Sequence, residues 1–147
     1  MKFEITILGC GSATPTLARN PTSQVVNIME RHMMIDCAEG TQIQLRKYKV
    51  AFQKIDHIFI SHLHGDHYLG LVGLISSFHL FGRNKTLHIY GPIDLERIIF
   101  DQLKASSTFL GYHIEFHPLV NDFSELIFED NIVEVYTIPL KHRIYCN

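Results

Sequence analysis

A strand-like run, Ile55 to Ser61, leads directly into His62-Leu63-His64-Gly65-Asp66-His67, and an apolar helix-like stretch follows. Four metal-capable side chains therefore fall within six residues at the end of a buried strand. Such a segment demands a fold that brings strand ends to a common rim, where irregular chain can converge. His62 and His64 are alternate residues, so on extended chain both imidazoles point to one side and can clamp one cation. Gly65 then permits a sharp turn, which aims Asp66 and His67 at a neighbouring point. That arrangement suits two cations a few ångströms apart, the pair that clamps attacking and leaving oxygens in phosphoryl transfer. Imidazole and carboxylate donors suit Zn²⁺ and its first-row neighbours. The bland alternative is a polar loop whose histidines face water; the density of ligands argues against it, and the segment reads as a metallohydrolase loop.

The rest of the chain alternates strand and helix patterns. Residues 3–8, 25–28, 32–37, 55–61, 87–90 and 112–118 read as strands, and residues 27–31 can close a hairpin between the second and third. Residues 40–49 are helical in pattern. Residues 68–81 form an apolar helix with Leu69, Val72, Ile75 and Phe78 near one face, and residues 93–106 an amphipathic one with Leu95, Ile98, Ile99 and Leu103 inward. Residues 126–128 and 132–138 look like a hairpin around Glu129-Asp130-Asn131. Strands and helices mix throughout, which means α/β layers.

A length of 147 residues, 46% hydrophobic and 19% charged, fits one globular domain with a sizeable core. The net charge of −2 gives no global nucleic-acid signature, although a local basic patch is compatible with it. Cys10, Cys37 and Cys146 form no spaced framework, which points to reduced thiols and the cytosol; Cys10 and Cys37, in apolar surroundings, read as small core residues. No stretch approaches the ~20 apolar residues of a membrane span, and the first residues do not form a signal peptide. Pro139 to Arg143 follows a strand with no closing element after it, so residues 1–147 are expected to be the N-terminal part of a single, truncated domain.

The metal loop, preceded by Phe59-Ile60-Ser61, resembles the signature of the metallo-β-lactamase superfamily. Leu8-Gly9-Cys10-Gly11-Ser12-Ala13-Thr14-Pro15, Arg19-Asn20-Pro21-Thr22-Ser23, Ile35-Asp36-Cys37-Ala38-Glu39-Gly40-Thr41-Gln42, Gly70 to Ser77 and Leu140-Lys141-His142-Arg143 narrow this to ribonuclease Z of the short form, the tRNA 3′ endonuclease. The resemblance covers essentially the whole chain. It implies the N-terminal half of an αββα four-layer sandwich and two Zn²⁺ per full-length subunit. By position it makes His62, His64 and His142 ligands of the first zinc and Asp66 and His67 ligands of the second. It also makes Asp66 the catalytic proton acceptor toward water, whose pKa a zinc lowers to ~7. Precursor tRNA is then the substrate, cut in line to leave a 3′-hydroxyl, by a cytoplasmic homodimer with no membrane association. Complete members of the family are much longer. A bridging aspartate, a last histidine and the tRNA-gripping arm are expected after Asn147, so the chain alone should bind zinc incompletely and be inactive. A half sandwich should also expose apolar sheet and tend to associate.

Two other readings stay open: a related phosphodiesterase or arylsulfatase-like hydrolase, and a non-catalytic superfamily member, which the intact loop disfavours. Asp36 either bonds backbone amides near Ala38-Glu39-Gly40 or supports a metal-binding histidine. Gly9-x-Gly11-Ser12 reads as a tight turn rather than a phosphate cradle, since it lacks a P-loop lysine. Arg19 is a phosphate contact or a solvated residue. His32, His57, His79, His88, His113 and His117 show no ligand spacing and read as packing or surface residues. Phe109 and Phe116 read as core, and Lys47, Lys49 and Lys54 as a solvated face.

Overall fold

A computed structural model describes residues 2–120 and 122–147. Alternating apolar and polar residues build a six-stranded sheet in the order β1 (Phe3–Gly9), β2 (Ser23–Ile28), β3 (Arg31–Cys37), β4 (Ile55–Phe59), β5 (Leu87–Gly91) and β6 (Ile114–Pro118). The first three strands pair antiparallel and β3 through β6 pair parallel. The β2–β3 turn forms where the sequence places it, with Met29 and Glu30 at φ 48° and 70°. Those are the left-handed angles that a two-residue hairpin demands, and Asn27 Oδ1 accepts the Glu30 amide at 3.0 Å.

Parallel neighbours need crossovers. These are supplied by α1 (Thr41–Lys47), by the short α2 (Gly65–Tyr68) with α3 (Leu71–Leu80), and by α4 (Asp94–Ala105). Leu45 of α1, Leu71, Leu74, Ile75 and Phe78 of α3, and Leu95, Ile99 and Leu103 of α4 share one buried cluster with Leu8, Val25, Met34, Ile58 and Ile89 of the sheet. The helices therefore cover one face. A hairpin of β7 (Leu126–Glu129) and β8 (Glu134–Tyr136) stands against part of the other. Arg31 of β3 bonds Asp130 and Asn131 at its tip, and the Phe128 ring lies 4.2 Å from that of His57 on β4. A cavity of about 570 Å³ lies between hairpin and sheet, lined by Val26, Met33, Ile35, Phe59, Ile127 and Val135. Helix layer, first sheet and the start of a second sheet match three of the four expected layers. No helix among the described residues is long and apolar enough to cross a membrane.

Four expectations are corrected. The helix over 68–81 is two helices separated by Leu69 and Gly70, because the Gly70 amide donates to Cys37 O at 2.9 Å, a close approach that only glycine allows, since a Cβ there would sit 2.0 Å from the Ala38 carbonyl oxygen. The buried stripe accordingly runs through Leu71, Leu74, Ile75 and Phe78, while Leu69 is exposed. Cys10 is exposed, and only Cys37 of that pair lies in the core. Phe109 is 86% exposed, whereas Phe116 packs against the core from the edge. Near the last strand, the Leu140 amide donates to Cys146 O at 2.9 Å, and that of Asn147 to Ser61 O at 3.1 Å.

Candidate metal centre

The parallel strands end at one rim, and β4 releases Ile60 into the core and His62 just beyond it. His62 and His64 are extended, so their rings share a side: Nε2 of His62 lies 3.1 Å from Nδ1 of His64. His142 arrives from the far end of the chain, with its ring centroid 4.7 Å from that of His62 and 4.9 Å from that of His64. One nitrogen from each of the three lies within 4.8 Å of the others. A tetrahedral zinc with Zn–N near 2.05 Å has ligand-to-ligand edges of about 3.3 Å, so this donor set fits a zinc-sized cation. Burial first, then the neighbouring His67, His142 and His64, pushes the His62 imidazole down to about 4. His62 is thus neutral at pH 7, with a lone pair free for a metal.

Gly65 does not turn sharply; it begins the short helix α2, which carries Asp66 and His67. Asp66 and His67 are thus carried by a helical turn rather than by a kink. The His67 ring centroid is 4.0 Å from that of His62. Its Nδ1 faces Asp36 Oδ2 at 2.7 Å, and its Nε2 lies 3.6 Å from Asp66 Oδ2. The Asp36 hydrogen bond holds His67 above the ordinary histidine range, against the effect of burial. Asp66 is fixed from a distant loop, since the Ala13 amide donates to its Oδ2 at 2.7 Å. Burial pushes the Asp66 carboxyl up, but the Ala13 hydrogen bond and nearby His67 outweigh it and leave the group below the usual aspartate range.

Asp36, the last residue but one of β3, has φ 56°, a left-handed angle uncommon outside glycine. Strained backbone of this kind persists where surrounding structure enforces it. The carboxylate accepts the Ser61 amide at 2.8 Å and the Ser61 hydroxyl at 2.9 Å, besides contacting His67. Both sequence readings of Asp36 are therefore partly met: it takes a backbone amide, though that of Ser61, and it orients a histidine of the loop. Gly9 allows the opening loop to pass close by, because a Cβ there would meet Pro21 O at 1.8 Å. That agrees with a tight turn. Arg19 is exposed, and Lys54 pairs with Glu30 at 2.8 Å. Sequence reading gave no role to Cys146, whose Sγ lies 3.7 Å from His62 Nδ1.

Residues 3–131 match the family model described as Anti-Pycsar protein Apyc1. Ribonuclease Z of Bacteroides thetaiotaomicron is 52% identical over 145 residues, which are 99% of this chain and 46% of that protein. The crystal structure of human tRNase Z, short form, superposes with a TM-score of 0.89 at 34% identity, over 97% of this chain and 61% of that one. The metallo-β-lactamase fold protein YhfI of Bacillus subtilis, at 21% identity, shares the fold with a TM-score of 0.71 over 97% of this chain and 55% of that one. The chain spans about half the length of the curated relatives it matches. This fold implies a divalent metal at the rim, and the donors gathered there suit one. The chain belongs to the family that the matching model describes, and its sequence places it with ribonuclease Z on a metallo-β-lactamase fold.

Proposed function

We propose that this chain supplies the histidine-rich half of the active site of a zinc-dependent endoribonuclease that removes the 3′ trailer of precursor tRNA and leaves a 3′-hydroxyl. The observation that carries the reading is the convergence of His142 with His62 and His64 in a chain whose sequence follows ribonuclease Z almost from end to end. His62, His64 and His142 would hold one zinc, and Asp66 and His67 would contribute to a second. Bound zinc would supply Lewis acidity and an acidified water at neutral pH.

The chain's own residues would do the rest. Asp66 is ionised at neutral pH, its Oδ2 accepts the Ala13 amide, and its carboxylate would take the proton. A carboxylate of low basicity is a good orienting acceptor and a weak base, so the transfer depends on the acidity of its donor. Asp36 and Ser61 hold the His67 ring at Nδ1 and leave Nε2 turned toward Asp66. Residues 1–147 would form the N-terminal part of one domain in a cytoplasmic homodimer. Three candidate ligands for one metal and two for the other make the chain by itself a weak loop-site binder and inactive.

The test is a chimera in which this chain replaces the matching 145 residues of the Bacteroides thetaiotaomicron protein. Cleavage of a precursor tRNA is expected, abolished by chelator and lowered at least about 100-fold by Asp66→Ala. A folded chimera that fails to cleave, or full activity with Asp66→Ala, would refute the reading. A related phosphodiesterase stays as the second reading, because the matching family is described by a name other than ribonuclease. Cleavage of bis(p-nitrophenyl) phosphate without cleavage of precursor tRNA would favour it.

A further inference from the structure

Two strands away from the loop, a second set of metal-capable side chains converges on the sheet face opposite the helices. Glu115 and His117 are alternate residues of β6 and so share a face. His88 of β5 is the directly paired partner of Glu115. Nδ1 of His88 lies 3.1 Å from Nε2 of His117, 3.5 Å from one Glu115 oxygen, while the other Glu115 oxygen lies 3.8 Å from His117 Nε2. One ligand atom from each residue lies within 4.8 Å of the others. These separations bracket the edge of about 3.3 Å expected around a tetrahedral zinc. From this geometry we propose that His88, Glu115 and His117 form a separate binding site for Zn²⁺ or a neighbouring divalent first-row metal, stapling the edge strand β6 to β5.

Three further observations support the assignment. The two imidazoles are held in place by rings stacked on them: Tyr90 on His117 at 4.3 Å and 11°, and His57 on His88 at 5.0 Å and 12°. Ligands pre-set by packing pay little ordering entropy on binding. Two histidines and one glutamate are the donor set of a zinc site that keeps an open position. The side chains of His88, Glu115 and His117 are 28%, 50% and 31% exposed in this chain.

The site is independent of the loop and is tested apart from it. The probe is zinc chloride, titrated calorimetrically into the 147-residue chain carrying His62→Ala and His64→Ala. One zinc per chain is expected to remain bound and to raise the melting temperature. Adding His88→Ala and His117→Ala should remove that equivalent with the circular dichroism spectrum unchanged. Glu115→Gln, which keeps shape and removes charge, should weaken the remaining binding at least tenfold. Zinc binding that is the same with and without His88 and His117, or absent from the loop variant, overturns the proposal. Should the fourfold variant fail to fold, Glu115→Gln decides: a change in Kd below threefold overturns it.

Discussion

The two faces of the six-stranded sheet are unlike. Under the helices, Met34, Ile58, Ile60, Phe78 and Ile89 are wholly buried and form one hydrocarbon core. On the opposite face, Phe3, Ile5 and Ile7 of β1 are 60%, 50% and 49% exposed, and the far strands carry His57, His88, Tyr90, Glu115 and His117. Because side chains alternate along a strand, the same backbone serves both. The difference separates two tasks: stability is concentrated on the helix face, and polar side chains and surface for further packing on the other. The candidate metal centre sits at the rim where the strand ends meet.

The most severe test of this division is Phe78→Ala. Phe78 is wholly buried, stacks near Phe52 at 5.9 Å and meets Tyr112 edge-on at 6.5 Å. Truncating it leaves a cavity among groups too constrained to fill it, and the expected loss is about 3–5 kcal/mol by urea denaturation. A loss below 1 kcal/mol would mean that the helix face is not the chief store of stability.

At the rim the expected effect is intermediate. Asp36→Asn keeps the shape of the side chain and removes the charge that holds His67 and receives Ser61. Groups that orient metal-binding histidines typically contribute 10–100-fold in affinity. The chimera carrying this substitution should therefore need about that much more zinc for half-maximal activity while melting within a few degrees of its parent. Equal zinc dependence would show that Asp36 serves the backbone alone.

Thiol reactivity compares the two environments directly. Cys10 is exposed, whereas the Cys37 thiol is pushed up to about 12, chiefly by burial. A thiolate-selective reagent at pH 8 should modify Cys10 rapidly in the native chain and reach Cys37 only on unfolding. Mass mapping of the labelled peptides checks this, and fast labelling of Cys37 would place it outside the core.

What the sequence conveyed and what it concealed follow one physical divide. Short runs of apolar and β-branched residues made every strand of the main sheet legible, because that signal is local. The ligand loop was legible because its four polar groups are contiguous, and His142 only through family resemblance, since nothing local marks it. The break at Gly70 was hidden because it depends on the carbonyl of Ala38, more than one element away. Cys10 and Phe109 were misread because apolar neighbours in sequence do not guarantee apolar neighbours in space. His88 was set aside for lack of spacing; its partners come from register, which pairs it with Glu115 across two strands. The signal available in advance was Glu115-x-His117 on a predicted strand beside another strand holding a histidine. Arg83 was not singled out, yet it is buried and donates to Ile55 O, Asp56, Lys85 O and Thr86 O while its guanidinium lies 4.9 Å from the centroid of Phe78. A lone arginine in sequence carries no sign that four acceptors will surround it.

The smallest effect is expected on the exposed face, where Ile5→Lys replaces a half-exposed residue of the edge strand β1. Little apolar contact is lost there, so the folding free energy should change by no more than about 0.5 kcal/mol. Self-association should respond much more. An edge strand with a row of exposed apolar side chains is a template for pairing, and a lysine there blocks it. Light scattering at high protein concentration should fall in the variant while the urea midpoint stays in place. A large drop in the midpoint with unchanged scattering would reverse the assignment of tasks between the faces, making β1 a part of the stable core and leaving the exposed row without a role in association.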